Sequence, residues 1–208
     1  MPAPRPLLLA SEAEEMARLA RCLDAEVRAL PPVDRPDTFE GWRTEILSIE
    51  PRKRIVVSLW RSAEPAQDLV ELDGDEWIRR FEAPYLLWNF ALGAAGRLCS
   101  DGGAIVAVNQ APAALDAPGR TPELAIADGV FSLVRSVAAA EGPRGVRANL
   151  VTTPIGLVDA NLIAPSPPLD GFPGTIESHV AGAVRSFLSE DAAGLTGRVL
   201  SADGGRSL

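Results

Sequence analysis

Apolar positions along the chain fall into two kinds of segment, short continuous runs and longer stretches with helical spacing. Pro6 to Ala10 (PLLLA) is short and continuous, the pattern of a strand buried on both faces. Ser11-Glu12-Ala13-Glu14 follows as a capping box. Met16, Leu19, Leu23 and Val27 then recur at helical spacing among charged residues, which predicts an amphipathic helix from Ser11 to about Arg28. Pro31, Pro32 and Pro36 break the pattern, and Thr38 to Glu50 fits either a short helix or a strand. Arg54 to Trp60 (RIVVSLW) reads as a second buried strand.

Asp75 to about Cys99 has an acidic start and an apolar stripe through Trp77, Phe81, Tyr85, Leu86 and Phe90. Pro84 inside it predicts a kink or a later helix start. Gly102 to Asn109 (GGAIVAVN) is a glycine turn feeding a third strand, Pro122 to Ala140 a helix, and Gly145 to Val151 (GVRANLV) a fourth strand. Ile155 to Gly174 reads as a long loop, about Thr175 to Leu188 as a helix, and Gly197 to Ala202 as the last strand. Strands alternating with crossover helices imply a mostly parallel sheet covered on both faces. The expected architecture is one domain over residues 1–208, a Rossmann-like α/β three-layer sandwich.

Composition narrows the chemistry. A net charge of −8 and a pI near 4.8 repel a phosphate backbone, so nucleic acid is not an expected partner. The longest apolar stretch, Ala83 to Gly96, is broken by Asn89 and too short for a bilayer, and Met1 to Ala10 lacks the features of a signal peptide. No membrane association and a cytoplasmic location are therefore expected. Cys22 and Cys99 read as ordinary buried thiols. There is one Tyr (Tyr85), one Lys (Lys53) and one His (His179), which leaves no clustered metal ligands and no local Tyr–Lys or His–Asp pair. No metal site is expected.

From Gly102 onward the segments resemble the short-chain dehydrogenase/reductase (SDR) family in order and content. Gly102-Gly103-Ala104-Ile105-Val106 resembles the strand that carries that family's catalytic Ser. Leu133 to Ala138 followed by Gly145 to Asn149 resembles the run from the catalytic helix into the next strand, and Leu195 to Gly205 (LTGRVLSADGG) the C-terminal strand. The likeness covers roughly residues 75–208 and, faintly, Arg54 to Trp60.

The chemistry that this resemblance implies is missing from the matching positions. The family's cofactor turn is glycine-rich so that the backbone can approach a pyrophosphate. Here Leu9 to Glu15 holds no glycine, none occurs before Gly41, and Glu12, Glu14 and Glu15 oppose a phosphate. Aligned through Arg135-Ser136, Glu123 stands at the family's Tyr position, Ala127 at its Lys position and Gln110 near its Ser. The supporting Asn position falls at Pro84 or, in another register, at Arg80. Glu123 with Gln110 could act as a replacement acid and carbonyl polariser, or Glu123 is a dipole-matched surface residue at a helix start. His179 reads as a packing or surface residue, and Asp101 and Asp203 as turn formers. The resemblance also implies a shortening between the first helix and Arg54, where the family's adenosine-binding strand and crossover helix lie.

These readings describe a truncated, catalytically degenerate SDR-like chain with no catalytic residue and no cofactor. The favoured function is a non-catalytic subunit that assembles with itself or with a homologous active SDR dehydrogenase/reductase; the family includes heteromers that pair active with degenerate subunits. Small residues Ala125, Gly129, Ser132, Ser136 and Ala139 would permit close helix approach along Pro122 to Ala140, or pack on their own sheet. The alternatives are an NAD(P)-dependent oxidoreductase with an altered active site, and a small-ligand-binding protein using the old substrate cleft near Gln110, Glu123 and the 155–174 loop.

Overall fold

The computed structural model describes residues 5–62, 64–113, 116–158 and 169–207. Its centre is a parallel six-stranded sheet in the order β2-β1-β3-β4-β5-β6. The strands are β1 (Leu7–Ala10), β2 (Glu26–Ala29), β3 (Arg52–Ser58), β4 (Cys99–Gln110), β5 (Arg147–Thr153) and β6 (Val199–Ser201). Side chains alternate across the sheet, so each central strand feeds two cores. Leu7, Leu9, Ile55, Val57, Ile105 and Leu150 meet one helical layer, formed by α2 (Phe39–Ile46), α4 (Ala83–Leu98) and α5 (Thr121–Glu141). Leu8, Ala10, Val56, Val106, Val108 and Val151 meet the other, α1 (Glu14–Leu23) and α6 (Ala181–Leu188). This is the expected three-layer α/β sandwich. Continuous apolar runs are what strands buried on both faces require, and each fully buried large side chain contributes about 1.5–3 kcal/mol.

The first helix is shorter than its periodicity predicts. It ends at Leu23, where Asp24 takes a left-handed conformation (φ 49°), and Glu26 to Ala29 pair in parallel with Leu7 to Ala10. Val27 is therefore half-exposed on an edge strand and not on the helix. Charges flank it because an edge strand is protected by them: Glu26 accepts from Arg28 at 2.9 Å and from Arg52 at 3.2 Å. The stretch expected to lack an adenosine-side strand and crossover helix thus contains both, as β2 and α2.

The capping box at Ser11 does not form. The helix starts at Glu14, its N-cap Ala13 makes no side-chain cap bond, and the Ser11 hydroxyl is used elsewhere. Thr175 does form a capping box, with Ser178, at the expected start of the last helix, which opens as a π turn (Ile176–Val180) before α6.

The predicted helix with Pro84 is resolved without a sharp break. α3 (Gly74–Trp77) runs through a π turn (Ile78–Glu82) into α4, placing Pro84 in the first turn, where its missing N–H costs least. The carbonyl of Arg80, four residues before Pro84, accepts instead from Arg61 Nη1 at 3.0 Å. Against this helix, Gly129 of α5 abuts the Tyr85 ring, where a Cβ would collide. That member of the small-residue stripe therefore serves packing within the chain, while Ser132, Ser136 and Ala139 face outward. Among the described residues no helix is long and apolar enough to cross a membrane.

Candidate functional site

The strand order reverses between β1 and β3: the chain steps from β1 outward to β2, then returns to the far side of β1. Ligands of open α/β sheets bind at the carboxyl ends of the strands beside such a point. Here the turn leaving β1 is fastened to the turn leaving β3. Ser11 Oγ donates to the Trp60 carbonyl at 2.7 Å and accepts from the Trp60 N–H at 2.8 Å. Trp60 itself is buried against the layer of α1 and α6. Beyond the clasp a cleft of about 730 Å³ opens between Leu30, Trp42, Glu45, Trp60, Glu12 and Arg28. Glu12 and Glu45 are exposed, and Glu14 and Glu15 occupy the first turn of α1. The cleft thus carries Glu12 and Glu45 alongside Arg28 and Arg61, and the helix N-terminus where a phosphate would approach is flanked by glutamates.

A second cavity lies at the ends of β3 and β4, beneath the start of α5. It measures about 30 Å³ and is bounded by Leu59, Trp88 and Ile126 on the apolar side and by Asn109, Gln110 and Glu123 on the polar side. Gln110 and Glu123, singled out in the sequence, are thus brought to one place. Both are already engaged. The Gln110 side chain accepts the Arg61 backbone N–H at 2.8 Å and donates to the Ile155 carbonyl at 3.2 Å, locking three segments together. One backbone partner at each end of the amide fixes its orientation.

Glu123 is not the surface residue that its position at a helix start suggests. Its Oε1 accepts from Arg80 Nη2 at 3.0 Å, and the two side chains are 16% and 2% exposed. Arg80 lies four and seven residues before Pro84 and Leu87, so it continues the buried stripe of α4 and enters the interior under Glu123. Of the two registers for the family's Asn, the one at Arg80 is the residue that reaches Glu123.

Ala127 is not part of this cavity. It faces a separate groove of about 200 Å³ with Phe131, Thr152 and Asp203.

Arg61, Ser62 and Glu64 also line the small cavity, and more arginines gather on Glu64. Arg79 binds Glu64 at 2.5 Å, Arg61 reaches the same carboxylate at 3.4 Å, and Arg120 donates to the Glu64 carbonyl. The hydrogen bond from Arg79 holds the Glu64 carboxyl below the usual range, while burial pushes the Arg61 guanidinium down. Arg61 also borders the larger cleft and a third hollow of about 430 Å³ lined by Val33, Ile78 and Ala83. It is the wall that these spaces share.

The remaining candidates lie elsewhere. His179 hydrogen-bonds Ser178 Oγ at 2.7 Å on the α6 side. Asp203 accepts from Gly205 N at 3.0 Å, as a turn former does, and Asp101 pairs with Arg144 at 2.9 Å on the surface. Arg206 and Asp116 form a two-pronged ion pair of 2.7 and 3.1 Å, almost wholly buried, that pins the C-terminal segment to the segment preceding α5. Cys99 is buried and its thiol is pushed up to about 11 by burial, which makes it unreactive near neutrality; Cys22 is half-buried. Half of the Pro-rich stretch expected to edge the cleft, residues 159–168 of 155–174, lies outside the described residues.

No family model and no curated protein sequence matches the chain. Solved structures do. A short-chain dehydrogenase/reductase from Serratia marcescens BCRC 10948 superposes with a TM-score of 0.72 at 18% identity over 98% of both chains. A doubly substituted mutant of the Serratia marcescens protein gives 0.73 at 19% over the same share. A structure described as a small-chain dehydrogenase gives 0.68 at 15%, over 99% of this chain and 100% of that one. Across 98% of its length, the chain has the fold of the short-chain dehydrogenase/reductases.

Proposed function

We propose that this chain is a non-catalytic subunit of SDR fold that assembles with itself or with a homologous active SDR dehydrogenase/reductase. The observation that carries the reading is the buried Arg80–Glu123 pair at the place where the fold resemblance puts a general acid. A Tyr–Lys acid is replaced there by an ion pair in which Glu123 Oε1 is held by a guanidinium. Around it, Gln110 is held by two backbone partners, and the clasp between Ser11 and Trp60 stands where a glycine turn would cradle a pyrophosphate. Assembly is supported by the outer edge of the sheet. β6 exposes Val199 and Leu200 to 40% and 41%, and Leu195 beside it to 44%, a short apolar edge of the kind that another chain covers. The exposed Ser132 and Ser136 of α5 offer a second, closely approachable face.

Isothermal titration with NAD(H) and NADP(H) tests the first part, with no binding expected below millimolar concentration. Sedimentation of the purified chain, with affinity capture from its own cell extract, tests the second. A dimer, or co-purification of an SDR homologue, is expected, and Ser132→Trp should shift the assembly toward monomer while leaving circular dichroism intact. Micromolar cofactor binding, or a monomer at all concentrations that captures no homologue, refutes the proposal.

A further inference from the structure

The small cavity at the ends of β3 and β4 contains a mismatch that the ion-pair lattice does not resolve. Among the described residues, only three buried side-chain atoms lack a hydrogen-bond partner: Asn109 Nδ2, Glu123 Oε2 and Arg80 Nε. Asn109 and Glu123 both line this one cavity, and Arg80 is the partner of Glu123. Asn109 is only 3% exposed, and the residues before it on the same face of β4, Ile105 and Ala107, are apolar. An unsatisfied buried polar group costs on the order of 1–3 kcal/mol, so orphans converging on one space point to an occupant.

The orphans specify that occupant. Asn109 Nδ2 is a donor and needs an acceptor, whereas Glu123 Oε2 is an acceptor and needs a donor. The charge of Glu123 is already balanced by Arg80, so the occupant need carry none. The opposite wall, Leu59, Trp88 and Ile126, is apolar, and about 30 Å³ admits only a small head group. We propose that the cavity binds the primary carboxamide head of a small uncharged molecule, its carbonyl accepting from Asn109 Nδ2 and its N–H donating to Glu123 Oε2. The site goes beyond the subunit reading and stands whether or not the chain assembles.

Acetamide is the probe. In a 15N-labelled sample the Asn109 side-chain amide signals, assigned by their loss in Asn109→Asp, should shift saturably with a dissociation constant on the order of 10 mM, as expected for four heavy atoms. N,N-dimethylacetamide keeps the carbonyl but cannot donate, and should bind at least tenfold more weakly. Glu123→Gln can keep an oxygen toward Arg80 and turn an NH2 into the cavity, converting the orphan acceptor into a donor. In that variant the preference for acetamide over N,N-dimethylacetamide should disappear, with the thermal melt confirming that the fold persists. No saturable shift with acetamide in the folded wild type, equal binding of the two amides, or tighter binding of acetate than of acetamide would each overturn the proposal. None of these results bears on cofactor binding or on oligomeric state, which test the subunit reading separately.

Discussion

Two regions of the carboxyl edge of the sheet, an open end and a closed centre, are built in opposite ways. Beside β1 and β2 the edge opens onto a cleft of about 730 Å³ whose walls carry exposed carboxylates. Beside β3 and β4 lies a space of only about 30 Å³, lined by Glu123 and Gln110, with Arg80 paired to Glu123. The open end has room, but the turn beside it carries no glycine and places Glu12, Glu14 and Glu15 at the start of α1. The closed centre keeps buried polar groups but binds them mostly to one another. Room and buried polar chemistry are therefore separated: among the described residues the buried side-chain atoms without a partner, Asn109 Nδ2, Glu123 Oε2 and Arg80 Nε, all belong to the closed region.

This contrast makes the closed centre the place where stability is most sensitive to charge. Arg80→Met strands the Glu123 carboxylate in the interior and should cost about 3–5 kcal/mol in urea unfolding, whereas Arg80→Met with Glu123→Leu should recover most of it. A double variant as unstable as the single one would mean that the pair supports the fold through something other than mutual neutralisation. At the open end the effect should be smaller. Ser11→Ala removes both bonds to Trp60 and should cost about 1–2 kcal/mol without conferring affinity for a dinucleotide, since Glu12, Glu14 and Glu15 remain. Gain of cofactor binding in that variant would show the clasp, and not the carboxylates, to be the barrier.

The smallest effect is expected at the rim between the two regions. Glu64 is about a quarter exposed and its pKa is lowered chiefly by the hydrogen bond from Arg79. A depressed carboxylate adds stability that is complete above the unfolded value of about 4.3 and is lost as pH falls through its lower folded value. Glu64→Gln should therefore lower stability by less than about 1 kcal/mol at pH 7, and the difference from wild type should shrink between pH 7 and about pH 2 as the carboxylate is protonated through its lowered folded value. A difference unchanged between those pH values would assign the role of Glu64 to packing.

The same contrast separates what the sequence discloses from what it hides. β1, β3, β4 and β5 are legible because a strand buried on both faces must be apolar at every position. β2 is hidden because Glu-Val-Arg-Ala serves an exposed edge, and Val27 falls in phase with the helix before it. The absence of the family's residue types from the matching positions is legible from the sequence alone: one Lys, one Tyr, and no glycine before Gly41. What stands there instead is not, since the partner of Glu123 lies 43 residues away and Arg80 looks in sequence like one charge in a polar helix start. One signal was available: Arg80 is in phase with Pro84, Leu87 and Ala91, so its helix position already marked it as inward-facing.

The hydroxyl of Ser11 also bears on how the chain can change over generations. A step toward a phosphate-gripping turn would begin by placing glycine at position 11. That change forfeits both bonds to Trp60 and adds the backbone entropy cost of glycine, before any affinity is gained in return. Three neighbouring glutamates would still repel the ligand, so no single substitution along that route is rewarded. The clasp works as a ratchet: change at this turn can drift in many directions but has no downhill path toward a phosphate grip.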